Sequence, residues 1–234
     1  MNYTLETDNV GVDIQDISLT GDFTIEFNIF FEPGSEIAKN DGAVSSQSGS
    51  GNDINFFEGI PRLYDADWGD VVVGLSPLEA GEWNHIALVR ESGTVRLYVN
   101  GVNEANSVTQ NYNDTFVISD LASSVVGALE GRMDEVRVWS LARPGAEILA
   151  NAAQTLDLSG GIPVGLERYY RFDEDLAHIV DATGNAETGH DLHPPAGTAI
   201  VQDDTVFDTP VGDVGGFIDT KVVNGLALPT DMAF

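Results

Sequence analysis

The chain contains no cysteine, which excludes disulfides, thiolate metal sites and the small disulfide-stapled folds. Basic residues are scarce: 10 Lys and Arg stand against 38 Asp and Glu, a net charge of −28. A surface of that sign repels nucleic-acid phosphate and anionic lipid, so no nucleic acid and no membrane surface is expected as a partner. No apolar run approaches the roughly 18–20 residues of a membrane span, so no membrane insertion is expected either. The opening MNYTLETDNV has neither the basic nor the apolar segment of a secretory signal peptide. The expectation is export by another route, carriage on a larger assembly, or origin in a longer protein.

Short alternating runs are what the chain has instead. GEWNHIALVRESGTVRLYVNGV, residues 81–102, reads as a hairpin of two strands joined by Glu91-Ser92-Gly93 and followed by an Asn100-Gly101 turn. Both faces of the first strand are apolar enough to be covered, which places it centrally. Phe23, Ile25, Phe27, Ile29 and Phe31 recur at strict period two, with Thr24, Glu26 and Asn28 on the opposite, polar face. That pattern predicts a sheet covering the core on one side. Asp53–Tyr64 and Val71–Leu75 read as two strands bracketing DADWGD, residues 65–70. Residues 40–52, NDGAVSSQSGSGN, read as an exposed loop. GRMDEVRVW, residues 131–139, is a further strand, and LARPGAEILANAAQ, residues 141–154, is the one short helix, with Pro144 at its start. Beyond GLERYYRF, residues 165–172, the chain turns irregular, and its last forty residues hold only β-like fragments. Many short strands with regular turn signals and one helix indicate an all-β sandwich. The expected organisation is a main domain over residues 1–195 and an extended β-like tail over 196–234.

Several ordered motifs carry a resemblance. Trp83-Asn84-His85-Ile86-Ala87, then Val95 to Gly101, Gly131 to Trp139, Glu147-Ile148 and Tyr169 to Glu174 together resemble the laminin-G-like jelly roll of the concanavalin A-like lectin and glucanase superfamily. LTGDFTIEFNIFF, residues 19–31, is similar to that family's first long strand. The resemblance covers roughly residues 1–192 and implies a two-sheet antiparallel jelly-roll sandwich with loops gathered at a rim. It also implies that calcium and carbohydrate binding at that rim are common.

Hydrolysis on such a scaffold needs two carboxylates about 5–9 Å apart, which glucanases of this fold present in an E-x-D-x-x-E string. No such string occurs here. Glu26-Phe27-Asn28 has Asn in the middle acid's place, and Asp134-Glu135 is expected to point its carboxylates to opposite faces. The chain is therefore read as non-catalytic.

Asp65, Asp67 and Asp70 crowd three carboxylates into six residues around Gly69, a pattern suited to a hard cation such as calcium. Asp134, Asp173 and Asp175 are further candidate ligands; Asp134 is equally suited to accepting backbone hydrogen bonds at a strand junction. Sugar recognition combines an aromatic platform with amides and carboxylates. Trp68, with Tyr64 before it, is the first such platform, and Tyr112 flanked by Asn111 and Asn113 the second. Trp83, Trp139 and His85 read as packed strand residues. The function expected is a binding or adhesion module that recognises a glycan or surface protein through calcium-ordered rim loops, extracellular, at a cell surface or on a particle. The rival expectation is a structural subunit whose C-terminal tail mediates homo- or hetero-assembly.

Overall fold

The computed structural model describes residues 2–8, 10–33, 39–46, 51–104, 107–108, 111–124, 127–173, 177–185 and 196–203. Strands β1 (Tyr3–Asp8), β2 (Val12–Leu19) and β3 (Phe23–Phe31) open the chain, followed by β4 (Lys39–Ser45), β5 (Asn52–Phe57), β6 (Ile60–Asp65) and β7 (Gly69–Val73). The hairpin of β8 (Trp83–Glu91) and β9 (Thr94–Val99) continues into β10 (Val102–Asn103), β11 (Ser107–Val108) and β12 (Phe116–Leu121). A small ribbon of β13 (Ser123–Ser124) and β14 (Gly127–Ala128) precedes β15 (Glu130–Trp139), helix α1 (Gly145–Asn151), β16 (Leu166–Tyr170) and β17 (Thr198–Gln202).

Two antiparallel sheets result. The first runs β10-β9-β8-β3-β15-β1-β17, and the second β11-β7-β6-β5-β4-β12-β2. Their inner faces share one core, to which β3 gives Phe23, Ile25, Phe27, Ile29 and Phe31 and the second sheet gives Val44, Ile54, Phe56, Leu63 and Phe116. The fold is the jelly-roll sandwich, and β8 is central as its two-faced apolarity demands, lying between β9 and β3. Among the described residues no helix is long and apolar enough to cross a membrane.

Several local expectations are corrected. Asp53–Tyr64 is two strands, because Glu58 and Gly59 adopt positive φ (53° and 79°) and turn β5 back on β6 as a hairpin. Residues 39–45 form β4 rather than a loop; Ala43 and Val44 are buried in the core and outweigh the polar text around them. The polar face of β3 is not solvated either: Thr24, Glu26 and Asn28 are all fully buried. Apart from these corrections, Thr198–Gln202 near the start of the C-terminal segment form β17, which adds a strand to the edge of the chain's own sheet beside β1. Residues beyond 203 lie outside the described residues.

What buries the outer face of the first sheet is the segment after β15. Ile148 of α1 packs on Ala87 and Val89, and Leu156 and Leu158 pack with Trp139, Leu166 and Tyr169. Between these apolar patches lies a charged layer. Arg143 donates to Glu26 Oε1 at 2.8 Å; Arg137 pairs with Glu135 at 2.5 Å and also donates to the carbonyls of Asn151 and Gln154. Glu135 further accepts from Tyr169 Oη at 2.5 Å and Thr155 Oγ1 at 3.2 Å. A bulge in β15 makes this pairing feasible. Its ladder with β3 shifts between Asp134 and Arg137, with Glu135 at φ 54°. Asp134 and Glu135 therefore crowd together and are both buried, which corrects the expectation that they face opposite ways.

Candidate functional site

The β6–β7 hairpin and the loop before β12 meet at one end of the second sheet. DADWGD forms the hairpin tip: Asp65 closes β6, Gly69 opens β7 at φ 74°, and Asp65 Oδ1 accepts the backbone N–H of Asp67 at 2.9 Å. This Asx turn, the local bond that Asp makes with a backbone N–H two residues on, points the tip toward residues 111–114. There Tyr112 Oη donates to Asp65 Oδ2 at 2.9 Å, and Trp68 Nε1 donates to Asp114 Oδ2 at 2.6 Å. The two rings meet edge to face with centroids 5.7 Å apart. One carboxylate oxygen from each of Asp65, Asp67 and Asp114 lies within 4.8 Å of the others, a spacing from which hard-cation ligation is accessible.

Sequence-predicted residues divide here. Asp65, Asp67, Trp68 and Tyr112 come together, with Asn111 and Asn113 at the margin, where Asn113 Nδ2 donates to the Asn111 carbonyl. Trp68 is 43% exposed, whereas Tyr112 is 0% exposed. Tyr112, read as a second platform, therefore presents no ring face; it backs Trp68. Burial, and then its bond to Asp65, push its hydroxyl well above the ordinary tyrosine range. Asp70 turns away to pair with Arg62 at 2.9 Å. Arg62 also packs against the rings of Phe57 and Tyr64, at 5.0 and 5.4 Å from their centroids, so Tyr64 sits on the outer face of the second sheet.

Asp134 and Asp173 stand at the seam where β1 and β16 follow one another along the same flank of β15. Asp134 accepts from Glu135 N–H at 2.7 Å and Asn2 Nδ2 at 3.0 Å, and Asp173 accepts from Tyr3 N–H at 2.8 Å. Burial, and then the charge of Glu135, raise the Asp134 carboxyl well above the usual range. Asp175 lies outside the described residues.

Three contributors went unread in the sequence. Asp114 follows Tyr112 by two places, the one signal that could have found it. Arg90 is buried beneath the site; its guanidinium donates to the Asp114, Gly21 and Leu19 carbonyls and packs on Phe23 and Tyr112 at 4.5 and 5.7 Å. The third is a row that only strand register reveals. Ser45 of β4 is the direct ladder partner of both Asp53 on β5 and Asp120 on β12. All three are buried on the outer face of the second sheet, where β13 and β14 pack across β4, and the Ser45 hydroxyl has no hydrogen-bond partner.

Similarity to known proteins follows the fold. A carbohydrate-binding protein candidate from Bacteroides ovatus superposes with a TM-score of 0.62 at 19% identity, covering 86% of this chain and 57% of that one. The chain thus spans little more than half of that protein's length. A heptameric SAP-like pentraxin from Limulus polyphemus superposes with a TM-score of 0.52 at 13% identity, covering 88% of this chain and 97% of that one. No curated protein matches the sequence. A family model described as the concanavalin A-like lectin/glucanases superfamily matches residues 6–149. That match spans more than half of the sequence and runs from β1 into α1, and on it the chain belongs to the concanavalin A-like lectin/glucanase superfamily.

Proposed function

We propose that the chain is a non-catalytic binding module that recognises carbohydrate at the hairpin tip around Trp68, with calcium ordering the loops beneath it. One observation carries this reading: the exposed indole of Trp68 is fastened by its N–H to Asp114, one of three carboxylates close enough to share a cation. A flat apolar face beside charged oxygens suits a sugar, whose C–H face stacks while its hydroxyls find acceptors. The relatives named as carbohydrate-binding and pentraxin fit such a role, as does action outside the cell or at its surface. Glu26 and Glu135, buried and tied to arginines beneath the cover, are poorly placed for the paired-carboxylate chemistry of glycoside hydrolysis.

The test is thermal unfolding in millimolar calcium against a chelator, with Asp65→Asn and Asp114→Asn beside the parent, followed by a glycan array with Trp68→Ala. A calcium-dependent rise in the melting temperature that both Asn variants abolish supports the reading, together with array signals that Trp68→Ala loses. A parent indifferent to calcium removes the cation, and a blank array removes the sugar.

A second location for the cation is favoured by the unbonded Ser45 hydroxyl between Asp53 and Asp120. If calcium binds there, Asp53→Asn abolishes the shift and Asp65→Asn leaves it intact.

A further inference from the structure

The outer face of the first sheet holds polar atoms that the chain itself leaves without partners. Asp134 on β15 faces Asn28 on β3, and Asn28 faces His85 on β8. The pairing of Leu5 with Met133 brings Thr4 of β1 alongside the same row. These four side chains are at most 1% exposed. Within the row Thr4 Oγ1, Asn28 Oδ1 and Nδ2, and His85 Nδ1 and Nε2 make no hydrogen bond; neither do Glu26 Oε2 and Arg137 Nε in the adjoining row. His85 Nε2 stands 3.4 Å from Glu26 Oε2, beyond the usual range of an N–H···O bond.

Folded proteins leave few buried polar atoms unsatisfied, so this row calls for an occupant. The atoms themselves restrict its chemistry. Asn28 Nδ2, Arg137 Nε and the Thr4 hydroxyl are donors, while Asn28 Oδ1 and Glu26 Oε2 are acceptors. An anion is opposed by Glu26 and Glu135, and a cation by Arg137 and Arg143, which share the layer. Anything much larger than water is opposed by the burial of these side chains. A small neutral molecule that both donates and accepts meets every demand.

We infer that ordered water fills this row and bridges Thr4, Asn28, His85 and Glu26. A buried water makes about three hydrogen bonds, so the unbonded atoms need roughly two or three molecules. The layer between the first sheet and its cover is thus hydrated internally.

Thr4→Val tests this by sign, since it replaces the hydroxyl with a methyl of nearly the same shape. A hydroxyl bonded to water is missed, and the melting temperature falls by roughly 2–4 °C. A hydroxyl in a dry site is not missed, and an unchanged or higher melting temperature overturns the inference. If the variant does not fold, magnetisation transfer from water to the Asn28 side-chain amide of the parent protein decides. Cross-peaks from a long-lived buried water support the hydrated row, and their absence overturns it.

Discussion

At the scale of single residues, three cations, Arg90, Arg137 and Arg143, serve buried carboxylates and backbone carbonyls rather than the surface. Glu26 shows the consequence. Burial alone would raise its carboxyl, but the contact with His85 and the charges of Arg137 and Arg143 outweigh burial and hold it at about 2. His85 beside it is pushed below its ordinary value, first by burial and further by the same two arginines, against the pull of Glu26. The two groups lose stability in different pH windows. Unfolded His85 takes up a proton near pH 6.5 while the folded residue stays neutral, so stability falls as pH drops below about 6.5. Unfolded Glu26 protonates near 4.5 and folded Glu26 only near 2, so its contribution is intact above 4.5 and lost between those values. Urea unfolding measured from neutral pH downward should show both declines, and His85→Gln should flatten the upper one. A variant that still weakens below pH 6.5 like the parent would assign that loss elsewhere. Tyr112 offers a simpler measurement. Tyr112→Phe deletes the donor to Asp65 and leaves a buried acceptor short of a partner, at a cost of about 1–3 kcal/mol. Chemical denaturation reads that loss, and an unchanged midpoint would show that the bond contributes nothing.

At the scale of elements, helix α1 is too short to be stable alone, and its place comes from what it covers. Ile148 fits against Ala87 and Val89, and the Asn100-Gly101 turn runs under the helix so closely that a Cβ on Gly101 would meet Leu149 at 2.5–2.8 Å. Ile148→Ala should cost about 2–5 kcal/mol through the cavity it leaves. Gly101→Ala should destabilise as well, since φ is 78° there and the helix stands in the way. Equilibrium unfolding measures both, and a near-neutral Ile148→Ala would mean that the cover does not depend on this contact. These elements also show what a sequence can reveal. Period-two apolarity in β3 and the paired turns around β8 and β9 identified the strands and the sandwich, because inward positions must be apolar whatever else varies. The same rule misread the outer face: Glu26 and Asn28 look solvated one strand at a time, yet both are fully buried, and Arg143, far along the chain, reaches back to Glu26. Hairpin boundaries failed where Glu58, not the usual Asn or Asp, took positive φ before Gly59. The tip around Trp68 was legible because its residues are contiguous. Asp114 and Arg90 were not, since contacts between the loop before β12 and distant strands bring them in, and the row through Ser45 was not, since strand register alone assembles it.

At the scale of the whole molecule, the net charge of −28 leaves the surface strongly acidic, even though nine of the described Asp and Glu are buried against three arginines, Arg90, Arg137 and Arg143. Like charges spread over one small body repel, and that repulsion weakens the compact state. Added salt shortens its range, from about 30 Å at 0.01 M to about 3 Å at 1 M. The buried pairs of Arg143 with Glu26 and Arg137 with Glu135 are shielded from salt, and the few exposed pairs such as Arg96 with Glu91 are far outnumbered by like charges, so screening acts mainly on the repulsive term. The melting temperature should therefore climb gradually with sodium chloride and keep climbing well above the range where a specific cation saturates. Calcium bound at a carboxylate cluster should instead give a saturable rise at low concentration, superimposed on the salt curve. Thermal unfolding across a sodium chloride series, repeated with calcium at constant ionic strength, separates the two. A melting temperature flat in sodium chloride would mean that the acidic surface costs the fold little. A calcium curve that merely follows ionic strength would mean that the cation acts on the whole surface and on no particular loop.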